Sequence, residues 1–271
     1  MADIEKLPQG FLRTKKLPHI WCPGCGNGII TAALVRAIYR IGYNQRDVVI
    51  VSGIGCSSRA AGYLNFNTLH TTHGRALAFA TGLKMARPEL KIFVIMGDGD
   101  CSAIGGNHFI HTARRNIDLN AVVINNHIFG MTGGQHSPLT PIGKKASTAP
   151  RGTVERAFDL LELARGAGAT FGARGTAAHP RQLEQLFVRG ANHKGFSVVE
   201  VFSTCPIAYG RRNKLGGAVE MLRNLRDNSI PVERASPADQ SVLVDKYITG
   251  VLYSSDVPEF TEQYYRSIGK N

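Results

Sequence analysis

Five cysteines carry the first chemical signal in this 271-residue chain. Cys22 and Cys25 form a Cys-x2-Cys pair in WCPGCG, Cys56 follows in GIGCSSR, and Cys205 stands in STCPIAYGR. All four sit among glycines or prolines, at loop-like positions. Thiolates in this arrangement can hold a [4Fe–4S] cluster or a structural zinc. Zinc usually takes pairs of close ligands and there is no second Cys-x2-Cys, but His19 is available to substitute, so both metals stay open. Cys101, directly after GDGD, reads as a small packed thiol. Between the cysteines lies a second set of groups, Gly97-Asp98-Gly99-Asp100 and, 28 residues beyond Asp98, Asn126. Asp98 offers a carboxylate to a divalent cation, Asn126 an amide oxygen and Ile128 a backbone carbonyl. Two diphosphate oxygens and water would complete an octahedron around Mg2+, and the glycines let backbone approach phosphate. The plainer alternative is an Asp-Gly turn and a buried Asn satisfied by backbone. It leaves unexplained why oxygen ligands cap both strand ends. Together the two sets point to redox chemistry joined to a diphosphate cofactor.

These groups need elements to position them. Apolar runs predict buried strands over 47–51, 91–96, 121–125 and 196–202, with a brief one at 169–171. Helical periodicity marks 27–41, 75–86, 106–115, 154–165, 180–192 and 217–228, the fifth opening on Pro180. Buried strands alternating with helices predict an α/β fold with a doubly wound, mainly parallel sheet and helices on both faces. GDGD and Asn126 fall where such strands end, which is where α/β sheets bind ligands. Residues 1–20 read as a basic extended lead-in with Pro8 and Pro18. A cofactor-binding domain is expected over 1–228, and a tail over 229–271 that packs on the domain or on a partner.

Composition narrows the class. The chain is 43% hydrophobic and carries a net charge of +12, enough apolar residue for one large core and a bias toward acidic partners. Lys and Arg are scattered rather than striped, which argues against a dedicated nucleic-acid surface. The start lacks an apolar signal region and no run approaches membrane-spanning length, so a cytoplasmic protein without nucleic-acid or membrane partners is expected. In a reducing compartment clustered cysteines more often hold metal than disulfides.

GDG followed by about thirty residues and Asn-Asn resembles the thiamine diphosphate motif. WCPGCGNG, GIGCSSR, TTHGRALAFATGLKMARP, GDGD with INN, and CPIAYGRRN together resemble the β subunit of 2-oxoacid:ferredoxin oxidoreductases, from about Ile20 to about Asn228. IFGMTGGQHSPLTP and CPIAYGRRNK are most similar to the 2-oxoglutarate type. The resemblance implies that Cys22, Cys25, Cys56 and Cys205 ligate one [4Fe–4S] cluster. It implies that Asp98, Asn126 and the Ile128 carbonyl hold Mg2+ with thiamine diphosphate. The cofactor site would take in Gly55, Cys56, Ser57, His73, Gly97, Asp98, Gly99, Asp100, Asn126, Ile128, Gly130, Met131 and Thr132. The implied activity is oxidative decarboxylation of a 2-oxoacid, 2-oxoglutarate first, to acyl-CoA and carbon dioxide, with electrons passing through the cluster to ferredoxin. The implied partner is an α subunit with the pyrimidine-binding domain, in an (αβ)2 heterotetramer, with coenzyme A as cosubstrate.

Two residues are candidates for catalysis. Arg59, three after Cys56, has a guanidinium fork suited to a distal carboxylate, or else faces solvent. His73 in TTHGR is a polar cofactor contact, a proton relay or a structural histidine. Met131 suits the methylenes of a longer acid or simple packing, and Arg211 and Arg212 suit a phosphate, a subunit contact or plain solvation. Two other functions stay open: a non-redox thiamine diphosphate decarboxylase or synthase subunit with structural zinc, and a basic zinc-stabilised nucleic-acid-binding protein. The last leaves GDG and Asn126 unexplained.

Overall fold

A computed structural model describes residues 10–235 and 246–269; Pro8 and parts of the expected tail lie outside them. In chain order the elements are α1 (Asn27–Ile41), β1 (Val48–Ser52), α2 (Ala60–Tyr63), β2 (Asn67–His70), α3 (Ala76–Ala86), β3 (Lys91–Gly97), α4 (Gly106–Arg114), β4 (Asn120–Asn125), β5 (Ile128–Phe129), β6 (Gln135–His136), α5 (Leu160–Ala167), β7 (Phe171–Thr176), α6 (Pro180–Asn192), β8 (Ser197–Phe202), α7 (Ala218–Asp227), β9 (Ser229–Pro231), β10 (Tyr247–Ser254) and α8 (Phe260–Ser267). Eight strands form one sheet in the order β2-β1-β3-β4-β8-β7-β10-β9, and β5 and β6 form a separate antiparallel pair. Within the large sheet only the β10–β7 pairing is antiparallel. The doubly wound, mainly parallel architecture expected from the sequence is therefore the one observed.

Continuous apolar runs make sense in this sheet because both faces are covered. Alternate residues leave opposite faces: Ile50, Phe93, Ile95, Val122 and Ile124 meet α1 and α6, while Val51, Ile92, Val94, Ala121 and Val123 meet α3, α4 and α5. α1 ends at Gly42, whose φ of +80° forms a left-handed cap, a conformation glycine adopts without penalty.

The expected tail enters the sheet. β10 pairs with β7 and shields its outer edge, and β9 lies beyond it. The helix expected from Val154 starts six residues later, because Asp159 caps it by accepting from the backbone N–H groups of Leu161 and Glu162 at 3.0 and 3.1 Å. Such a cap supplies partners that free helical N–H groups need; Val154 itself is 90% exposed. Among the described residues no helix is long and apolar enough to cross a membrane.

Candidate active site

β1 lies between β2 and β3, so the chain winds away from it in both directions. Beyond the carboxyl ends of β1, β3 and β4, where such a switch point opens a crevice, is a cavity of about 230 Å³. Its wall contains all thirteen residues expected at the cofactor site, with Ile54 and Phe129 added. Close approach of three loops makes glycine necessary here. A Cβ on Gly53 would run into the Asp100 carboxylate, and one on Gly99 would run into the Phe129 ring.

Asp98 and Asp100 follow β3 directly, where the chain widens into a π-helical turn over Asp100–Ile104, a feature that recurs at functional sites. Both side chains are buried. Asp98 Oδ2 accepts from Ser137 Oγ at 2.5 Å. Burial pushes the Asp98 carboxyl up to about 7, against the pull of Ser137 and of the backbone N–H groups of Gly99, Asp98 and Ile128. Asp100 Oδ1 accepts from the Gly74 and Ile54 backbone N–H groups at 2.7 and 3.3 Å. His73 Nδ1 also lies 2.7 Å from Asp100 Oδ1, at an angle too oblique for a full hydrogen bond. Asp100 Oδ2 is buried with no partner, and burial raises this carboxyl too, despite Gly74, Ile54 and His73. Among the described residues neither aspartate forms an ion pair with Lys or Arg; a divalent cation is the kind of counter-charge that this acidic, buried oxygen set accepts.

Asn126 and Ile128 belong to a turn pinned from several sides. His127 has φ of +64°, an uncommon conformation for a residue with a side chain. Its N–H donates to Asn125 Oδ1 (3.1 Å) and its carbonyl accepts from Thr140 Oγ1 (2.6 Å). Its ring nitrogen Nδ1 is 2.9 Å from the Leu139 carbonyl. The Ile128 N–H donates to Asn126 Oδ1 at 3.2 Å. Behind the turn, Asn125 Nδ2 donates to Glu200 Oε1 (2.8 Å), Arg174 Nε donates to Glu200 Oε2 (2.7 Å), and Arg174 Nη2 donates to Asp159 Oδ1 (2.8 Å). Arg174 and Glu200 are register partners on β7 and β8. Burial works against the Arg174 charge, but the two carboxylates outweigh it and push its pKa up.

The four expected cluster cysteines converge at one side of the cavity. A Cβ on Gly130 would stand 3.5 Å from Cys205 Sγ and 3.7 Å from Cys56 Sγ. The Cys22–Cys25 loop is tied to the Cys205 segment: Thr204 Oγ1 donates to the Gly24 carbonyl at 2.7 Å and the Gly26 N–H to the Thr204 carbonyl at 3.4 Å. Trp21 Nε1 donates to the Cys56 carbonyl at 2.6 Å. Burial pushes Cys25 up to about 12, opposed by the Asn27 N–H and reinforced by the charges of Cys205, Cys56 and Cys22. Cys56 rises to about 11 through burial, then Cys205, Cys22 and Asp98. Thiols that raise one another in this way fit a shared cationic centre, which would hold them as thiolates. Among the described residues no three His, Cys, Asp or Glu side chains gather closely enough to share one ion. Cys101 is fully buried on the other face of the sheet and burial raises its pKa well above the usual thiol value.

Arg59 is the expected site residue that the fold leaves out. It is exposed, outside the cavity wall, and forms no ion pair among the described residues. Several contributing residues had no motif to announce them. Ser137 could be found only by folding the 128–150 loop back over Asp98. Arg174 and Glu200 did leave a trace, as single charges within FGARGT and SVVEVF, two otherwise uncharged strands.

The thiamine pyrophosphate enzyme, C-terminal TPP binding domain family matches residues 41–201. The 2-oxoglutarate synthase subunit KorB of Methanocaldococcus jannaschii is 50% identical over 260 residues, covering 96% of this chain and 96% of that protein. Its counterpart of the same name in Archaeoglobus fulgidus is 53% identical over 237 residues, covering 86% of each. Among solved structures, the 2-oxoglutarate:ferredoxin oxidoreductase from Magnetococcus marinus, with 2-oxoglutarate, coenzyme A and succinyl-CoA bound, superposes with a TM-score of 0.85 at 32% identity, covering 99% of this chain and 92% of that one. Identity of 50% over nearly the whole of a KorB subunit, the family match and the shared fold make the chain a member of the 2-oxoacid:ferredoxin oxidoreductase family as a β subunit.

Proposed function

We propose that this chain, assembled with an α subunit carrying the pyrimidine-binding domain, catalyses the coenzyme A-dependent oxidative decarboxylation of a 2-oxoacid, with 2-oxoglutarate as the preferred substrate. In balance, the 2-oxoacid anion, coenzyme A and two oxidised ferredoxins give acyl-CoA, carbon dioxide, a proton and two reduced ferredoxins. The observation that carries this reading is the shared wall: Cys56 lines the cavity that Asp98 and Asn126 also line, and Gly130 backs both Cys56 and Cys205. Electron transfer between the two centres needs such proximity.

Asp98, Asn126 and the Ile128 carbonyl would hold Mg2+ and through it the diphosphate, and Cys22, Cys25, Cys56 and Cys205 would hold one [4Fe–4S] cluster. When bound, thiamine diphosphate supplies a sink for the electron pair released with carbon dioxide, and the cluster supplies one-electron steps. The chain's own residues do the rest. Asp100 holds the His73 ring at the wall, positioned to hold or move a proton at its outer nitrogen. Glycines 55, 97, 99 and 130 let backbone approach the cofactor, with the Ser57 and Thr132 hydroxyls beside them. Met131, 47% exposed at the mouth, offers an apolar contact to substrate methylenes. Arg59 is assigned no step. The enzyme is an (αβ)2 heterotetramer of the cytoplasm in this reading.

The test is anaerobic co-purification with the α subunit, then a panel of oxoacids with coenzyme A and a viologen dye. The expected result is iron and sulfide in equal amounts, a broad brown absorbance, and succinyl-CoA formed from 2-oxoglutarate. Zinc without iron would overturn the redox reading; acetyl-CoA from pyruvate with no succinyl-CoA would overturn the substrate.

A further inference from the structure

We propose that the Asn27 side chain donates a hydrogen bond to a sulfur of the iron–sulfur cluster and so raises its reduction potential; this rests on the cluster proposed above and assigns a residue that sets its redox poise. The first observation is where unpaired polar atoms gather. Native interiors leave few polar groups without a partner. Among the described residues nine buried side-chain nitrogens and oxygens have no hydrogen-bond partner, and five of the nine belong to Asn27, Thr31, Ser58 and Ser203. Asn27 and Thr31 follow Cys25 in the chain, Ser58 stands two residues after Cys56, and Ser203 two before Cys205. Asn27 is the extreme case: it is fully buried, and neither its Nδ2 nor its Oδ1 has a partner.

The second observation is direction. Asn27 opens α1, and its backbone N–H lies against the Cys25 thiol, where it favours the thiolate. In a helix every Cα–Cβ bond tilts toward the N-terminus. The Asn27 side chain therefore leans back toward the loop that carries Cys22 and Cys25. Thr31, on the same face, lies one turn on, about 6 Å further along the axis. The third observation is that the helix gains nothing from an asparagine at this position. Asparagine is a weak helix former, its unpaired Oδ1 caps no backbone N–H, and burying an unpaired amide is costly. Thiolates and sulfides accept hydrogen bonds and donate none, so the amide meets them with Nδ2. Neither amide atom is held by the protein, so nothing opposes that orientation. A donor to the sulfurs favours the cluster with one more electron, in the same sense as the positive end of α1.

The test uses the assembled holoenzyme, purified anaerobically as wild type, Asn27→Leu and Thr31→Val, in a redox titration with dithionite followed by EPR. Both substitutions nearly keep the size of the side chain and remove its polar group. Asn27→Leu is expected to lower the reduction equilibrium constant of the cluster about tenfold, a negative shift of about 59 mV for one electron; Thr31→Val should leave the midpoint where it is. A second measurement needs no variant. With asparagine isotopically labelled at its side-chain nitrogen, pulsed EPR of the reduced wild type should show a hyperfine coupling to that nucleus. An unchanged midpoint in Asn27→Leu, or a wild-type spectrum without the coupling, would overturn the proposal and leave the proposed function standing. Equal shifts in the two variants would overturn it as well, since lost polarity in α1 and not a bond to sulfur would then set the potential. Zinc in place of the cluster would sink the proposed function and this inference with it. A negative shift together with the coupling, in an enzyme that turns over no oxoacid, would uphold the Asn27 donor and sink the proposed activity alone.

Discussion

Buried acidic residues in two adjacent regions of the sheet are treated differently, Glu200 in one and Asp98 with Asp100 in the other. Glu200, 2% exposed, has Arg174 and Asn125 on its two oxygens. Asp98 and Asp100, 3% and 2% exposed, have a serine, backbone N–H groups and an obliquely placed histidine. A buried charge is tolerated when a counter-charge lies within the chain. Glu200 meets that condition without help, so it serves the fold and props the Asn125–Ile128 turn. Asp98 and Asp100 do not meet it among the described residues, and the Mg2+ proposed above would supply the missing counter-charge. The contrast separates structural charge from functional charge by partners, where burial alone would class all three together.

The largest expected effect follows for Asp98→Asn. The change keeps shape and removes the uncompensated charge, so activity of the assembled enzyme should fall by at least ~100-fold while the cofactor-free protein melts no lower than wild type. A lower melting temperature without cofactor would place Asp98 with Glu200 among the structural charges. Glu200→Gln should do the opposite: about 3–5 kcal/mol of stability is expected to go, because Arg174 is left buried and half-paired. Chemical denaturation measures it, and Arg174→Met combined with Glu200→Leu should recover most of the loss. Thiamine diphosphate binding to the single variant should weaken as well, through Asn125, and a recovery of stability without a recovery of cofactor affinity would separate the two roles.

The pH dependence of the cofactor-free protein gives a smaller test of the same contrast. The Asp98 carboxyl stands at about 7 in the fold against its ordinary 3.8. Between those values the native protein keeps a proton that the unfolded chain has released. Stability therefore falls as pH rises through this window, by up to about 1.4 kcal/mol per pH unit, and levels off above it. Asp100, raised by the same burial, acts in the same direction. Denaturation at several pH values between 4 and 8 reads the slope; it should shrink in Asp98→Asn.

Much of the site was legible because its residues interrupt strong patterns. IFVIM is an unbroken apolar run that stops at GDGD, and AVVI stops at Asn125-Asn126, so Asp98 and Asn126 mark their strand ends. β2 left no such mark: NTLH is a half-exposed edge strand without an apolar run. β10 was hidden by its antiparallel pairing and the register shift between Val251 and Tyr253. The Arg174–Glu200 pair depends on the register of β7 and β8, which neither strand reveals alone. Arg59 shows the converse case. Spacing of three from Cys56 brought it close in sequence, but its place in the helical turn after Ser57 turned it outward.

The smallest expected effect is the control for the whole contrast. Glu184 on α6 bridges two arginines on α1, with Arg36 Nε at 3.3 Å and Arg40 Nη1 at 3.2 Å. On paper it has as many cationic partners as Glu200 has neighbours, and it joins two helices that pack closely. The difference is access to water: the Arg36 and Arg40 side chains are 22% and 60% exposed, so an arginine that loses Glu184 is solvated again. Glu184→Gln should therefore cost at most about 1 kcal/mol, and high salt should remove most of that. A cost equal to that of Glu200→Gln would mean that pairing, and not the absence of water, sets the penalty. Asp98 and Asp100 would then need no external cation, since their demand for one depends on water being unable to reach them.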